Sequence, residues 1–212
     1  YQYMQNKTRY VNVSIGIGGW QPMPPEEVRK KGYGDCKGLT NYMKTLLDAA
    51  GIKSYYSVIT SDETPQSFDP DFPKMGGNHV ILMIPTEKDP IWLENTSQQI
   101  AFNHLSFNTT DRNVLAVKEN GIEIINTPIY KPEENQEIIK TKVILNEDGS
   151  INLNSDFYYS KAQYDFNMYI IGLSKEDVKD AVKNRYDHLK IENLAVNNIN
   201  NDRDKAEITY QT

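Results

Sequence analysis

Gly32-Tyr33-Gly34-Asp35-Cys36-Lys37-Gly38 runs directly into Leu39-Thr40-Asn41-Tyr42-Met43-Lys44-Thr45-Leu46-Leu47-Asp48-Ala49-Ala50-Gly51. Leu39, Met43, Leu46, Leu47 and Ala50 recur at the spacing of one helical face, and Gly51 supplies the left-handed residue that commonly ends a helix. The only cysteine of the chain therefore falls at or just before a helix N-terminus. There the unpaired backbone N–H groups and the positive end of the helix dipole favour a thiolate over a thiol. The same N–H groups suit an oxyanion, and the glycines at 32, 34 and 38 allow a sharp turn and close approach of a ligand. Asp35 would oppose ionisation if its carboxylate faced the sulfur, so it reads as a helix cap pointing away. A free cysteine is more often an inert buried side chain. The glycine frame and the partners available to Cys36 argue instead for a nucleophile.

Such a nucleophile needs a base, and the base needs an orienting group. The chain has three histidines. His79 opens the apolar, β-branched run His79-Val80-Ile81-Leu82-Met83-Ile84, which reads as a strand. Ile91-Trp92-Leu93-Glu94 reads as the next, with Pro85 and Pro90 bounding the loop between them. If the pairing is centred on that loop, position 79 faces 96 and position 81 faces 94. His79 and Glu94 are then diagonal neighbours on one face, and a two-residue shift of register would set them directly opposite; in either case their Cβ atoms lie about 5–8 Å apart on the same side of the sheet. A carboxylate so placed fixes the ring tautomer and stabilises the imidazolium formed when Cys36 ionises. The other two histidines draw ordinary readings: His104 lies in a polar loop and is expected in solvent, and His188 sits near a helix end, where a cation is a routine choice. No paired Cys or His-x-x-His spacing exists for zinc, and no glycine fingerprint for a nucleotide. Neither metal nor cofactor is expected.

These residues carry a resemblance. Tyr33-Gly34-Asp35-Cys36-Lys37-Gly38 on a helix start, Asn78-His79-Val80-Ile81 on a strand and Trp92-Leu93-Glu94-Asn95-Thr96-Ser97 on the next resemble the transglutaminase-like superfamily of papain-like thiol enzymes. More narrowly, the chain is similar to bacterial multidomain proteins in which such a core lies between β-rich domains. The likeness extends to Arg9-Tyr10-Val11, to Gly18-Gly19-Trp20-Gln21-Pro22 and to Thr110-Asp111-Arg112-Asn113-Val114-Leu115, and so covers roughly residues 1–127. It implies a Cys-His-Asp triad carried here by Cys36, His79 and Glu94, with Glu standing where Asp is usual. It also implies attack of Cys36 on an amide or ester carbonyl, and an acyl-enzyme resolved by water or an amine. The oxyanion would be held by the Cys36 N–H and an upstream donor, for which Gln21 and Trp20 are the candidates. A tryptophan beside Gly-Gly and Pro also suits plain packing. The implied location is the periplasm or cell surface of a Gram-negative bacterium.

With 212 residues, 38% of them hydrophobic, the chain can bury one good core and a smaller second one. A net charge of −6 argues against nucleic acid and anionic membrane surfaces. No apolar run approaches membrane-spanning length. The lone cysteine excludes an internal disulfide. Tyr1 to Gln5 read as the tail of a helix packing on the core, and flanking domains of a longer chain are expected. Pro128, Pro132 and Glu133-Glu134-Asn135 break the pattern and divide a core at 1–130 from a second unit at 131–212. Beyond the break, Ile138–Leu145 and Ile151–Tyr159 alternate as strands about the turn Asn146-Glu147-Asp148-Gly149. A helix near 174–190 starts at a Ser174 cap supported by Asp177, with Val178, Ala181, Val182 and Leu189 on one face. Ile191–Val196 and Ala206–Tyr210 read as closing strands, and a sheet finishing on the last residues is open to completion by further strands. Tyr158, Tyr159, Tyr164 and Tyr169 suggest either a binding face or a sheet packed on its own helix.

The expected fold class is thus α+β: a papain-like, transglutaminase-like core, its Cys-bearing helix packed on an antiparallel sheet, followed by a smaller β-rich domain. The expected activity is cysteine-dependent acyl transfer on peptide or protein amides, by hydrolysis or by transfer to an amine. The alternative is the same core, catalytically idle, serving binding or assembly. Ser61–Gly77, rich in Pro, Asp and Ser, reads as an irregular connection bordering the groove.

Overall fold

In the computed structural model, which describes residues 1–72, 76–188 and 190–212, the apolar runs flanking Pro85 and Pro90 become paired strands. The chain is α+β and divides into two compact units, Tyr1–Ile129 and Tyr130–Thr212. The first unit begins with α1 (Gln2–Lys7), β1 (Arg9–Tyr10), a 3-10 turn at Gly16–Gly19, α2 (Pro25–Lys31), β2 (Tyr33–Gly34) and α3 (Cys36–Ala49). It continues with β3 (Tyr55–Ile59), β4 (His79–Ile84), β5 (Ile91–Leu93), β6 (Asn113–Lys118) and β7 (Gly121–Asn126). These five strands form an antiparallel sheet in the order β5-β4-β3-β6-β7.

Strand alternation gives that sheet two apolar faces. Leu82 and Leu93 join Met4, Val28, Leu39, Tyr42, Met43 and Leu47, so α3 lies against one face with α1 and α2 beside it. Ile81, Met83 and Trp92 point the other way and meet Ile59, Leu105 and Val114. Each fully buried Leu or Met contributes about 1.5–3 kcal/mol. These clusters fix α3 against the strands that carry the candidate base and its partner.

In the second unit, β8 (Glu137–Leu145) and β9 (Ile151–Ser160) form the hairpin read from the Asn-Glu-Asp-Gly turn, in the register Leu145 opposite Ile151. Next come α4 (Ala162–Asn167), a 3-10 turn at Met168–Ile170, and α5 (Lys175–Arg185), whose Ser174 cap accepts the Asp177 N–H at 3.1 Å. Val178 and Val182 of α5 are buried; Leu189, expected on the same face, lies outside the described residues. The sheet closes with β10 (Asn197–Asp202) and β11 (Glu207–Gln211), in the order β10-β11-β9-β8.

One expectation for this unit needs correction. Residues 191–196 form no strand; the strand beside β11 on its outer side is the asparagine-rich segment after them, which bulges between Asn197 and Asn200. Apolar content misleads there because an edge strand is held by ladder hydrogen bonds that any side chain permits. Of the two readings of the tyrosines, packing within the unit fits better than a common exposed face. Tyr159 and Tyr164 are fully buried, and Tyr159 stacks with Phe157 and Tyr210. Of the four, only Tyr169 stands largely in solvent, at 54%.

Candidate active site

Asp35 decides where α3 starts. Its Oδ1 accepts the Gly38 N–H at 2.9 Å, as a helix cap should, and its Oδ2 is engaged by the Lys37 ammonium. Cys36 is therefore the first helical residue, half-buried and unoxidised. Tyr10 pairs with Gly34 in the short parallel β1–β2 ladder, and the Val11 N–H donates to the Gly34 carbonyl at 3.0 Å. Gly38 allows close packing: a Cβ there would lie 3.2 Å from Met23 Cβ, which would have to give by a few tenths of an ångström.

His79 is the first residue of β4, and Glu94 follows the last residue of β5. The ladder pairs Leu82 with Leu93 and Ile84 with Ile91. Continued to the open end of the hairpin, that register sets Ile81 opposite Glu94 and leaves His79 diagonal to it. The side chains close the diagonal, with Nε2 of His79 standing 2.7 Å from Oε2 of Glu94. The other carboxylate oxygen accepts the Thr96 N–H at 2.9 Å and the Thr96 hydroxyl at 2.5 Å. The N-terminal helix braces the same segment: the Tyr1 hydroxyl donates to the Glu94 carbonyl, and Gln5 Nε2 to the carbonyls of Ser97 and Ile100, both at 3.0 Å.

The cysteine is tied to this pair through a contact not read from the sequence. One turn beyond Cys36, buried Thr40 donates to the Val80 carbonyl at 3.2 Å, and Asn95 Nδ2 donates to Thr40 Oγ1 at 3.1 Å. Val80 and Asn95 are the immediate neighbours of His79 and Glu94. A hydroxyl and an amide, spaced 55 residues apart, thus lock the helix to both strands. Only the Thr at an otherwise apolar helical position hinted at it.

The Cys36 sulfur lies near enough to the His79 ring to raise its pKa. Because Nε2 is taken by Glu94, Nδ1 is the nitrogen left for the sulfur. Burial would by itself make the imidazole less basic. That is the largest single effect, but the Glu94 charge together with the hydrogen bonds to Cys36 and Glu94 and the Cys36 charge exceeds it, and the His79 pKa rises to about 10. Burial would conversely raise the Glu94 carboxyl, but the charge and hydrogen bond of His79 and the two bonds from Thr96 hold it below its ordinary value. Both effects describe one buried imidazolium–carboxylate pair beside the Cys36 sulfur.

Two phenols adjoin the site. Burial, then the charges of Cys36 and Asp35, raise the pKa of Tyr56 on β3, and burial with the same neighbours raises that of Tyr10. Both stay protonated at neutral pH as potential donors. Arg9-Tyr10-Val11 entered the sequence reading without a role, and Tyr56 did not enter it, since its approach to Cys36 comes from β3 lying next to β4.

Gln21 is exposed and lines a cleft of about 210 Å³ together with Asp35, Val13, Ile17, Gly18, Pro22, Met23 and Pro24. Trp20 is 75% exposed, so it does not take the packing role open to it. His104 is a clear correction: it is buried at 1%, not in solvent. The loop after β5 folds inward on Ile100, Ala101 and Leu105, all buried, and takes the histidine with it. His188 is exposed and lies past the end of α5, 3.9 Å from Asp187.

The loop that leads into His79 is anchored as far as it is described; its residues 73–75 lie outside the described residues. Buried Arg112 donates to the carbonyls of Thr60, Asp62, Phe107 and Thr110, between 2.8 and 3.2 Å. Asn113 pairs its amide with the Phe68 backbone at 2.6 and 2.9 Å. This gives Thr110-Asp111-Arg112-Asn113 a physical role. Among the described residues no group of three or more His, Cys, Asp or Glu could hold a metal ion, and no helix is long and apolar enough to cross a membrane. No protein-family model, curated protein or solved structure matches the chain.

Proposed function

We propose that this chain is a cysteine acyl-transfer enzyme acting on peptide or protein amides, with a papain-like, transglutaminase-like core in residues 1–129. The observation that carries the reading is the 2.7 Å bond from His79 Nε2 to a buried Glu94 carboxylate, with Cys36 against the same ring at a helix start. A structural ion pair alone has no need of a thiol at its third corner.

Cys36 and His79 react as an ion pair, the cysteine proton resting on His79 Nδ1, and the sulfur attacks the scissile carbonyl. The C–S bond forms as the carbonyl π electrons move to oxygen, and the oxyanion is met by the N–H groups of Cys36 and Lys37. Those two amides of the first turn have no intrahelical acceptor, whereas that of Gly38 is occupied by Asp35. The imidazolium then protonates the leaving amine as its C–N bond breaks, giving a thioester on Cys36. Water or a primary amine, deprotonated by His79, attacks the thioester and restores the thiol. Glu94 holds the ring tautomer and stabilises the imidazolium throughout. The likeness to exported bacterial proteins extends the proposal to a periplasmic or surface location, which cell fractionation checks.

The test is iodoacetamide labelling of Cys36 below neutral pH, together with turnover of peptide amides with and without an added primary amine. His79→Ala should slow labelling sharply and lower turnover by roughly 10²–10⁴-fold. Unchanged labelling in that variant removes the activated thiol, and leaves a catalytically idle core.

A further inference from the structure

The cleft beside Cys36 differs in chemistry from the rest of the site. Its lining is Val13, Ile17, Pro22, Met23 and Pro24 with Gly18, and its only polar side chains are Gln21 and Asp35. The Asp35 carboxylate is not on offer to a ligand: one oxygen caps Gly38, the other is engaged by Lys37, and its side chain is only 4% exposed. What remains is an apolar surface with one amide. At about 210 Å³ the cleft is smaller than the roughly 300–1,000 Å³ of sites that enclose a whole small molecule. It has room for one large side chain.

The segment that lines it carries exposed apolar side chains. Ile15, Ile17 and Trp20 are 91%, 75% and 75% exposed, all on or next to the 3-10 turn Gly16–Gly19. Single exposed apolar residues are ordinary; three of them within six positions, in a segment that also lines an apolar cleft, mark a contact surface. The cleft lies at the start of the helix that bears the thiol: Asp35, which lines it, directly precedes Cys36, and Met23, which also lines it, packs on Gly38 of the same helical turn.

We propose that this cleft is the specificity subsite of the acyl donor, taking an uncharged, large apolar side chain such as Leu or Phe next to the scissile amide. The inference rests on Cys36 being the acyl-accepting nucleophile. It implies a substrate class of peptides with an apolar residue at the cleavage point, and selection against Lys, Glu and Ser there.

The test is independent of turnover. Peptidyl chloromethyl ketones of matched length alkylate Cys36 by forming a C–S bond as the C–Cl bond breaks and chloride leaves, and need only the sulfur. Probes carrying Leu or Phe should label Cys36 on the order of 10-fold or more faster than those carrying Ser, Glu or Lys. Ile17→Asn, a change at an exposed position, should shrink that ratio several-fold while the iodoacetamide rate stays as in the parent. Equal rates for all probes, a preference for a charged probe, or a ratio untouched by Ile17→Asn would overturn the subsite. Failure of the acyl-transfer reading shows elsewhere, in His79→Ala labelling, so the two can be told apart.

Discussion

Asp35 adjoins a sulfur whose ionisation its charge opposes, and Lys37 on the other side balances it. The Lys37 side chain is only 15% exposed, so the ion pair is largely shielded from solvent screening. Lys37→Met should therefore slow iodoacetamide labelling of Cys36 at pH 6 several-fold, while Lys37→Arg keeps the charge and most of the rate. Equal rates in all three would mean that Lys37 is only a neighbour. Glu94 raises a second point at this scale. The carboxylate reaches His79 across a diagonal of the ladder, a longer span than a directly opposed pair. The extra methylene of Glu over Asp is what that span requires. Glu94→Asp should lose labelling and turnover nearly as far as Glu94→Gln; full activity in the aspartate variant would show that the strands adjust.

At the scale of elements, the site depends on how β4 is introduced. Gly77 sits at φ +90°, and a Cβ there would meet Val58 Cγ1 at 2.6 Å and the Ile59 carbonyl at 3.1 Å. Gly77→Ala should cost about 1–3 kcal/mol in urea unfolding and displace the start of the strand that bears His79. Arg112 is the other support. Arg112→Met removes the donor to the carbonyls of Thr60, Asp62 and Thr110 and one of those to Phe107, and should destabilise by at least about 2 kcal/mol, each orphaned group costing about 1–3 kcal/mol. A melting curve unchanged by that substitution would refute the anchoring role. The periodic elements were legible: α3, the β4–β5 hairpin and its register, the β8–β9 hairpin and the start of α5 all follow from local pattern and turn chemistry. The polar strand β10 and the inward-folding loop that buries His104 did not, because both are stabilised by partners distant in sequence.

Over the whole molecule, the buried pair makes stability depend on pH in a definite direction. His79 is raised from 6.5 to about 10, so its contribution is full below about pH 6.5 and is lost as pH rises towards 10. Glu94 is lowered from 4.5, so its contribution is full above that value and is lost as pH falls through the lower folded one. The advantage of the parent over Glu94→Gln in urea unfolding should thus be largest between about pH 4.5 and 6.5. It should decline by at most about 1.4 kcal/mol per pH unit on the alkaline side. A difference that grows from pH 7 to pH 10 would contradict the pairing. The second unit makes its own prediction. Every residue of β8 is exposed and the strand pairs only with β9, so its amides should exchange faster than those of β11, which lies between β9 and β10 and carries buried Ile208 and Tyr210.

From the sequence alone came the helix start at Cys36, the strand bearing His79, its place on one sheet face with Glu94 and the break near Pro128. Each rests on interactions within a few residues, or on the two-residue period of a hairpin, which sequence spacing encodes directly. Only the tertiary structure decided that Cys36 meets the imidazole, that Thr40 and Asn95 lock α3 to both strands, and that an apolar cleft adjoins the thiol. Those are contacts between segments tens of residues apart, and their geometry is set by how the apolar faces of helix and sheet pack together, a quantity no local spacing carries.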